Sequence, residues 1–166
     1  MGSSLFIAIL HHLLAFSIFG CVIAIHLFIS GQMSARDARM TKSLHKIYFI
    51  SLWVMLLVGL SRAVWFEKGM PYYLTNAAFH AKLTFFIVII PLAVYTQSLV
   101  SRIVTTQSID GWINPDRSLV KKSLMIFRAK IIVLMAIIIC AVMISKGVGI
   151  IKKTPGVEAV VGAVVE

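Results

Sequence analysis

The chain has 166 residues, 60% of them hydrophobic and only 13% charged, and a mean hydropathy of +0.96. Roughly a quarter of an ordinary soluble domain is charged, and a soluble domain of this length could not bury so much apolar surface, so a water-soluble globule is excluded and lipid is the implied solvent. The net charge of +10 does not point to nucleic acid, because the basic residues fall mostly between apolar runs, where loops meet anionic headgroups.

Leu5 to Ile29 is the first apolar run, long enough to span with some tilt. No Lys or Arg precedes it and no small-residue cleavage site closes it, so it is expected to be a retained helix, not a signal peptide. Gly31 to Lys46 is expected to be a polar loop carrying Arg36, Arg39, Lys42 and Lys46. Ile47 to Phe66 is the second span, and Glu67-Lys68-Gly69-Met70-Pro71 a tight connection. Trp65, Phe66, Tyr72 and Tyr73 around it fit an interfacial belt.

Thr75 or Asn76 is a candidate cap for the third helix, which runs over 76–103 with Pro91 as a kink point. Thr105 to Lys122 is a second polar loop, and Ser123 to Ser145 the fourth span. Residues 149–166 form a short tail in which Thr154-Pro155 could open a short helix and Val157 to Val165 could dock on a partner. Cys21 and Cys140 both lie in apolar runs and read as small core residues.

The fold class is therefore an all-α, integral membrane four-helix bundle with residues 1–148 as its transmembrane domain. The two long loops carry eight basic residues (Arg36, Arg39, Lys42, Lys46, Arg102, Arg117, Lys121, Lys122) against four on the opposite side (Lys68, Lys146, Lys152, Lys153). The positive-inside rule then puts both termini on the outer, periplasmic side of a bacterial inner membrane.

Ionisable groups inside spans are expensive, so each asks for a reason. An outer layer holds His11, His12, Arg62, His80 and Lys82, and an inner layer His26, His45, Arg128 and Lys130. A neutral imidazole is a haem or metal ligand and a proton carrier; the alternative for each histidine is an interhelical hydrogen bond. His11 and His12 are about 100° apart on a helix, so one can face the bundle squarely. His80 and Lys82 are about 200° apart, so they cannot share a target, and Lys82 can also snorkel to the headgroups. Arg62 suits a propionate or other anion, or snorkels past Trp65. His12 and His26 are separated by about 21 Å of rise and only about 40° of rotation, which would suit two stacked haems, with His80 completing the outer site and His45 the inner.

The spans contain no Asp or Glu, which removes a carboxylate proton relay or a carboxylate-lined cation path. Phosphate-loop, HExxH and CxxC motifs are also missing, and no serine lies in a hydrolase motif.

The block VGLSRAVWFEKGMPYYLTNAAFHAKLTFF, with LHHLLAF in the first helix, resembles a family of bacterial four-helix membrane proteins of unknown function, over roughly residues 5–145. More distantly, Leu10-His11 and His80-Ala81-Lys82-Leu83 resemble elements of HemJ-type protoporphyrinogen IX oxidases, small membrane proteins that bind haem b. That resemblance implies a haem ligand at His11, or at His12 one place on, and a porphyrin site served by His80 and Lys82. The segment SLMIFRAKIIVL has the arginine of a further HemJ motif, at Arg128, but not its Asn-Glu. The expected function is a b-type haem protein for electron transfer or porphyrinogen oxidation. The alternative is a non-catalytic accessory or structural subunit of a larger membrane complex, with no cofactor; the expected partners are the lipid bilayer and either such a complex or further copies of the chain.

Overall fold

The structure is a computed structural model that describes residues 2–29, 32–66, 69–106, 108–109 and 111–151. Helices α1 (Gly2–Phe28), α2 (Ala35–Ser61), α4 (Ala77–Val104) and α5 (Arg117–Ser145) make the bundle. A π-helical turn, Arg62–Phe66, continues α2, and α3 (Met70–Leu74) is a single short turn before α4. Among the described residues, four helical stretches are long and apolar enough to cross a membrane: Ser4–Phe28, Ala35–Trp65, Ala77–Val104 and Arg117–Ser145. The expected tail helix and the Val157 to Val165 segment lie outside the described residues.

The helices pair as two hairpins, α1 on α2 and α4 on α5, and the hairpins close through α2 against α4 and α1 against α5. Ile18, Val22 and Ile25 give α1 one apolar stripe, continued by Ile29 just past its end and met by Leu52 of α2, Ile89 and Ala93 of α4, and Phe127 and Leu134 of α5. Lipid tails are as apolar as these side chains, so this burial stabilises through close packing more than through transfer from water.

Helix α2 begins about three turns earlier than the sequence led us to expect. Ser34 Oγ accepts from Asp37 N at 3.1 Å, and Asp37 Oδ2 accepts from Ser34 N at 3.3 Å, a reciprocal cap that starts the helix inside the basic segment. The Thr105 to Lys122 segment likewise becomes partly regular. Strands β1 (Met33–Ser34), β2 (Ser108–Ile109) and β3 (Trp112–Ile113) pair antiparallel in the order β1-β3-β2, with Met33 opposite Ile113 and Ser108 opposite Ile113. Asp116 then caps α5. Its carboxylate accepts from Ser118 N at 2.9 Å and Ser118 Oγ at 2.8 Å, bonds that hold it below the usual carboxylate range.

At the other end, residues 146–151 strap the start of α4. Asn76 caps α4, its Oδ1 accepting from Ala78 N at 2.9 Å, while its Nδ2 donates to Val148 O. Ala77 N donates to Gly149 O at 2.8 Å and Ile151 N to Thr75 O at 2.9 Å. Tyr72 Oη donates to Ile144 O at 3.0 Å, and Ala63, Tyr73, Ala78 and Ile144 form a small second core beneath the strap. Helix α4 runs through Pro91 without a break.

Gly149 has φ +92, and a Cβ there would sit 3.1 Å from Ala78 N. Gly149→Ala should therefore lower unfolding stability in detergent by about 1 kcal/mol or more. Asn76→Ala should cost about 1 kcal/mol through the lost cap. Gly20→Ala, where a Cβ meets nothing within 4 Å, should leave the thermal midpoint unchanged or raise it.

Candidate functional site

Apart from Asn76, the most completely buried polar groups among the described residues lie in the half of the bundle nearer the basic loops. Helix α2 presents Thr41, His45 and Tyr48 at i, i+4 and i+7, all buried. Helix α5 presents Ser123, Phe127 and Lys130 with the same spacing, and α4 supplies Thr96 between them. Lys130 has no exposed surface at all. Its Nζ donates to Thr96 Oγ1 and lies 4.6 Å from the centre of the Tyr48 ring and 4.8 Å from that of Phe127. Two aromatic faces and one hydroxyl oxygen therefore surround the ammonium group.

His45 sits beside it. Nε2 lies 3.3 Å from Thr96 Oγ1, and the imidazole meets the Tyr48 ring edge-on at 5.6 Å. The threonine oxygen thus joins a lysine on α5 to a histidine on α2. Thr41 Oγ1, His45 Nδ1, Tyr48 Oη and Ser123 Oγ are buried with no hydrogen-bond partner. Unmade bonds in a packed interior are costly, so a cluster of them asks for a reason.

The outer histidines are arranged differently. His11 is half-buried and packs over Gly59, where a Cβ would come within 3.6 Å of its Cε1. The His11 and His12 rings are 6.1 Å apart and nearly perpendicular. His12 is exposed, and its Nδ1 lies 2.7 Å from Ala8 O. A carbonyl only accepts, so Nδ1 carries the proton, and a neutral ring then holds its lone pair on Nε2. By the same reasoning His80, also exposed, donates from Nε2 to Leu74 O at 2.9 Å and keeps its lone pair on Nδ1. Arg62, which opens the π turn touched by α1, and Lys82 are half-buried at the same end. His26 is half-buried, with Nδ1 shielded from solvent and unpartnered. Among the described residues no three His, Cys, Asp or Glu side chains form a group that could hold a metal ion.

Of the inner-layer residues, the structure brings His45 and Lys130 together and leaves Arg128 exposed. Thr96 and Tyr48 were not singled out in the sequence. The signal for Tyr48 was the polar stripe Thr41-His45-Tyr48, hidden by reading the first turns of α2 as loop.

The family described as Predicted membrane protein (DUF2214) matches residues 3–149, most of the chain, and the chain belongs to this family. No curated protein and no solved structure is significantly similar to it.

The buried trio yields two substitutions of opposite sign. Thr96→Val should destabilise the detergent-solubilised protein by about 2 kcal/mol, because it leaves a buried ammonium and imidazole without their shared acceptor. Lys130→Met fills the same volume without a charge and should be neutral or stabilising by about 1 kcal/mol or more. Thermal unfolding of both variants alongside wild type checks the pair.

Proposed function

We propose that this DUF2214 member is a b-type haem protein of the bacterial inner membrane, with both termini outside, working in electron transfer or porphyrinogen oxidation. The observation that carries the reading is the His12 bond to the Ala8 carbonyl. A ligating histidine needs its second ring nitrogen tied to a carbonyl or carboxylate, which fixes the tautomer and aims the lone pair. His12 has this arrangement, with Nε2 left as the donor on an apolar flank.

The surrounding residues fit the group. His11 supports the ring of His12 edge-on, and His80 at the same end is a second neutral imidazole whose lone pair is on Nδ1. Arg62 and Lys82 would hold the propionates. Haem, when bound, supplies a one-electron couple, tuned by its axial ligand and by the burial around it. The protein's own part would be to fix the tautomer of His12 and to balance the carboxylates with two cations. The resemblance of His80-Ala81-Lys82-Leu83 to the HemJ element supports the porphyrinogen branch of the proposal.

Absorbance spectra of the detergent-purified protein, air-oxidised and then dithionite-reduced, test the proposal. The expected result is a Soret band with sharp reduced bands of the b type, lost in His12→Ala and weakened in His80→Ala. His45→Ala should keep the spectrum. A featureless spectrum from haem-replete cells, or full haem occupancy in His11→Ala, His12→Ala and His80→Ala alike, would overturn it; the first result together with a stoichiometric co-purifying partner would make the chain an accessory subunit.

A further inference from the structure

Near the basic loops, the outer face of α5 carries three exposed cations, Lys121, Lys122 and Arg128, around the exposed side chain of Met125. Lys121 and Arg128 are seven apart, so they lie within about 20° of each other around the helix. Lys122 flanks them on the α4 side, its Nζ 5.4 Å from the centre of the Tyr95 ring. No acid answers these charges. Helices α1 and α4, which pack on α5, contain no Asp or Glu, nor does α5 itself. Asp116, the cap of α5, is taken up by Ser118.

Arg128 lies about 9 Å along the helix beyond Lys122, toward the middle of the bilayer. Below it the same exposed stripe becomes apolar, through Ile132, Met135, Ile139 and Val142. The exposed apolar belt of α5, from Arg128 to Lys146, is therefore about 27 Å tall. On α4 the exposed apolar residues fall between Thr84 and Ser98, about 21 Å. On α1 they run from Leu5 to Leu27, about 33 Å. A hydrocarbon core of about 30 Å matches the α1 flank and overshoots the α4/α5 flank. A bilayer thins against a short belt, which brings headgroup phosphates down toward Arg128. The arginine fork takes two phosphate oxygens at once, and each lysine adds a point charge. A soluble anion does not enter hydrocarbon, and a zwitterionic lipid brings a cation of its own. A lipid of net negative charge fits both the cations and the apolar stripe beneath them.

We propose that the α4/α5 flank at the basic-loop end is a binding site for an anionic phospholipid, whose headgroup phosphate is held by Arg128, Lys121 and Lys122 and whose acyl chains lie along Ile132 and Met135. The site is at the opposite end of the bundle from His12 and stands independently of the haem proposal.

The thermal midpoint of the full-length protein is the readout, since a ligand of the folded state raises it by mass action. Phosphatidylglycerol is titrated into the protein in a neutral detergent, with phosphatidylcholine and tail-free glycerol phosphate as comparisons. Wild type should be stabilised by phosphatidylglycerol alone. The apparent affinity should fall about tenfold in Arg128→Gln and several-fold in Lys121→Gln, two exposed positions, and stay within about twofold in Lys46→Gln, an exposed cation of α2 at the same end. Should Arg128→Gln not fold, Lys121→Gln against Lys46→Gln carries the comparison. The proposal is overturned by no shift with phosphatidylglycerol, by an equal shift with glycerol phosphate, which would make this a soluble-anion site, or by an equal fall in Lys46→Gln, which would make the attraction diffuse. A stoichiometric co-purifying protein that is lost in Arg128→Gln would overturn it in favour of a protein partner.

Discussion

The structure turns on one buried lysine that has no acidic partner among the described residues. Lys130 is sealed inside the bundle among Tyr48, Phe127 and Thr96, and none of these carries a negative charge. Placing a lysine in the middle of a span costs about 3 kcal/mol on insertion scales. A desolvated ring face offers about 2 kcal/mol to a cation, so two faces and a hydroxyl oxygen are of the size needed to offset it. The offset holds only while α2, α4 and α5 keep their mutual register. Tyr48, Thr96 and Lys130 come from three different helices, so the polar centre fixes how the two hairpins meet, a specificity that apolar packing in lipid does not provide by itself.

The two ends of the bundle are built on different principles. The basic-loop end is well packed: Met33 and Ile113 are buried, a small sheet joins the described loop residues, and the side-chain caps of Ser34 and Asp116 set where α2 and α5 begin. The opposite end is open. Its histidines are exposed or half-buried, its helix changes to a wider turn at Arg62, and its closure depends on backbone bonds from residues 146–151 to Thr75 and Ala77. Wide turns and exposed imidazoles collect where ligands bind, while tight polar cores collect where a structure must not shift. The haem proposed above would sit at the end with the wider turn.

Much of the fold was legible in the sequence because lipid sets a length. Four apolar runs separated by basic loops leave little freedom, and the observed helices cover all four. The errors came at the basic ends, where Ser34 and Asp37 three residues apart already spelled a cap, yet the charge of the segment argued for loop. The placement of polar side chains was less legible. Arg128 and Lys130 are two apart and so roughly opposite on a helix; the sequence says that only one can face inward, and only packing says which. Thr96 was silent, since a threonine in a span looks like any small packing residue until a lysine from another helix reaches it. The adjacent histidines gave the sharpest sequence signal, and the structure separates them into one half-buried ring over Gly59 and one exposed ring.

The three-stranded sheet has a consequence for biogenesis. It pairs Met33, between the first two helices, with Ile113, between the last two. Two helical hairpins can enter a bilayer one after the other as independent units, but this sheet cannot close until β3 has been synthesised and both loops stand on the same face. It is therefore a late step of assembly. A second hairpin inserted upside down would carry residues 108–113 to the wrong compartment and leave Met33 and Ser34 as an unpaired edge.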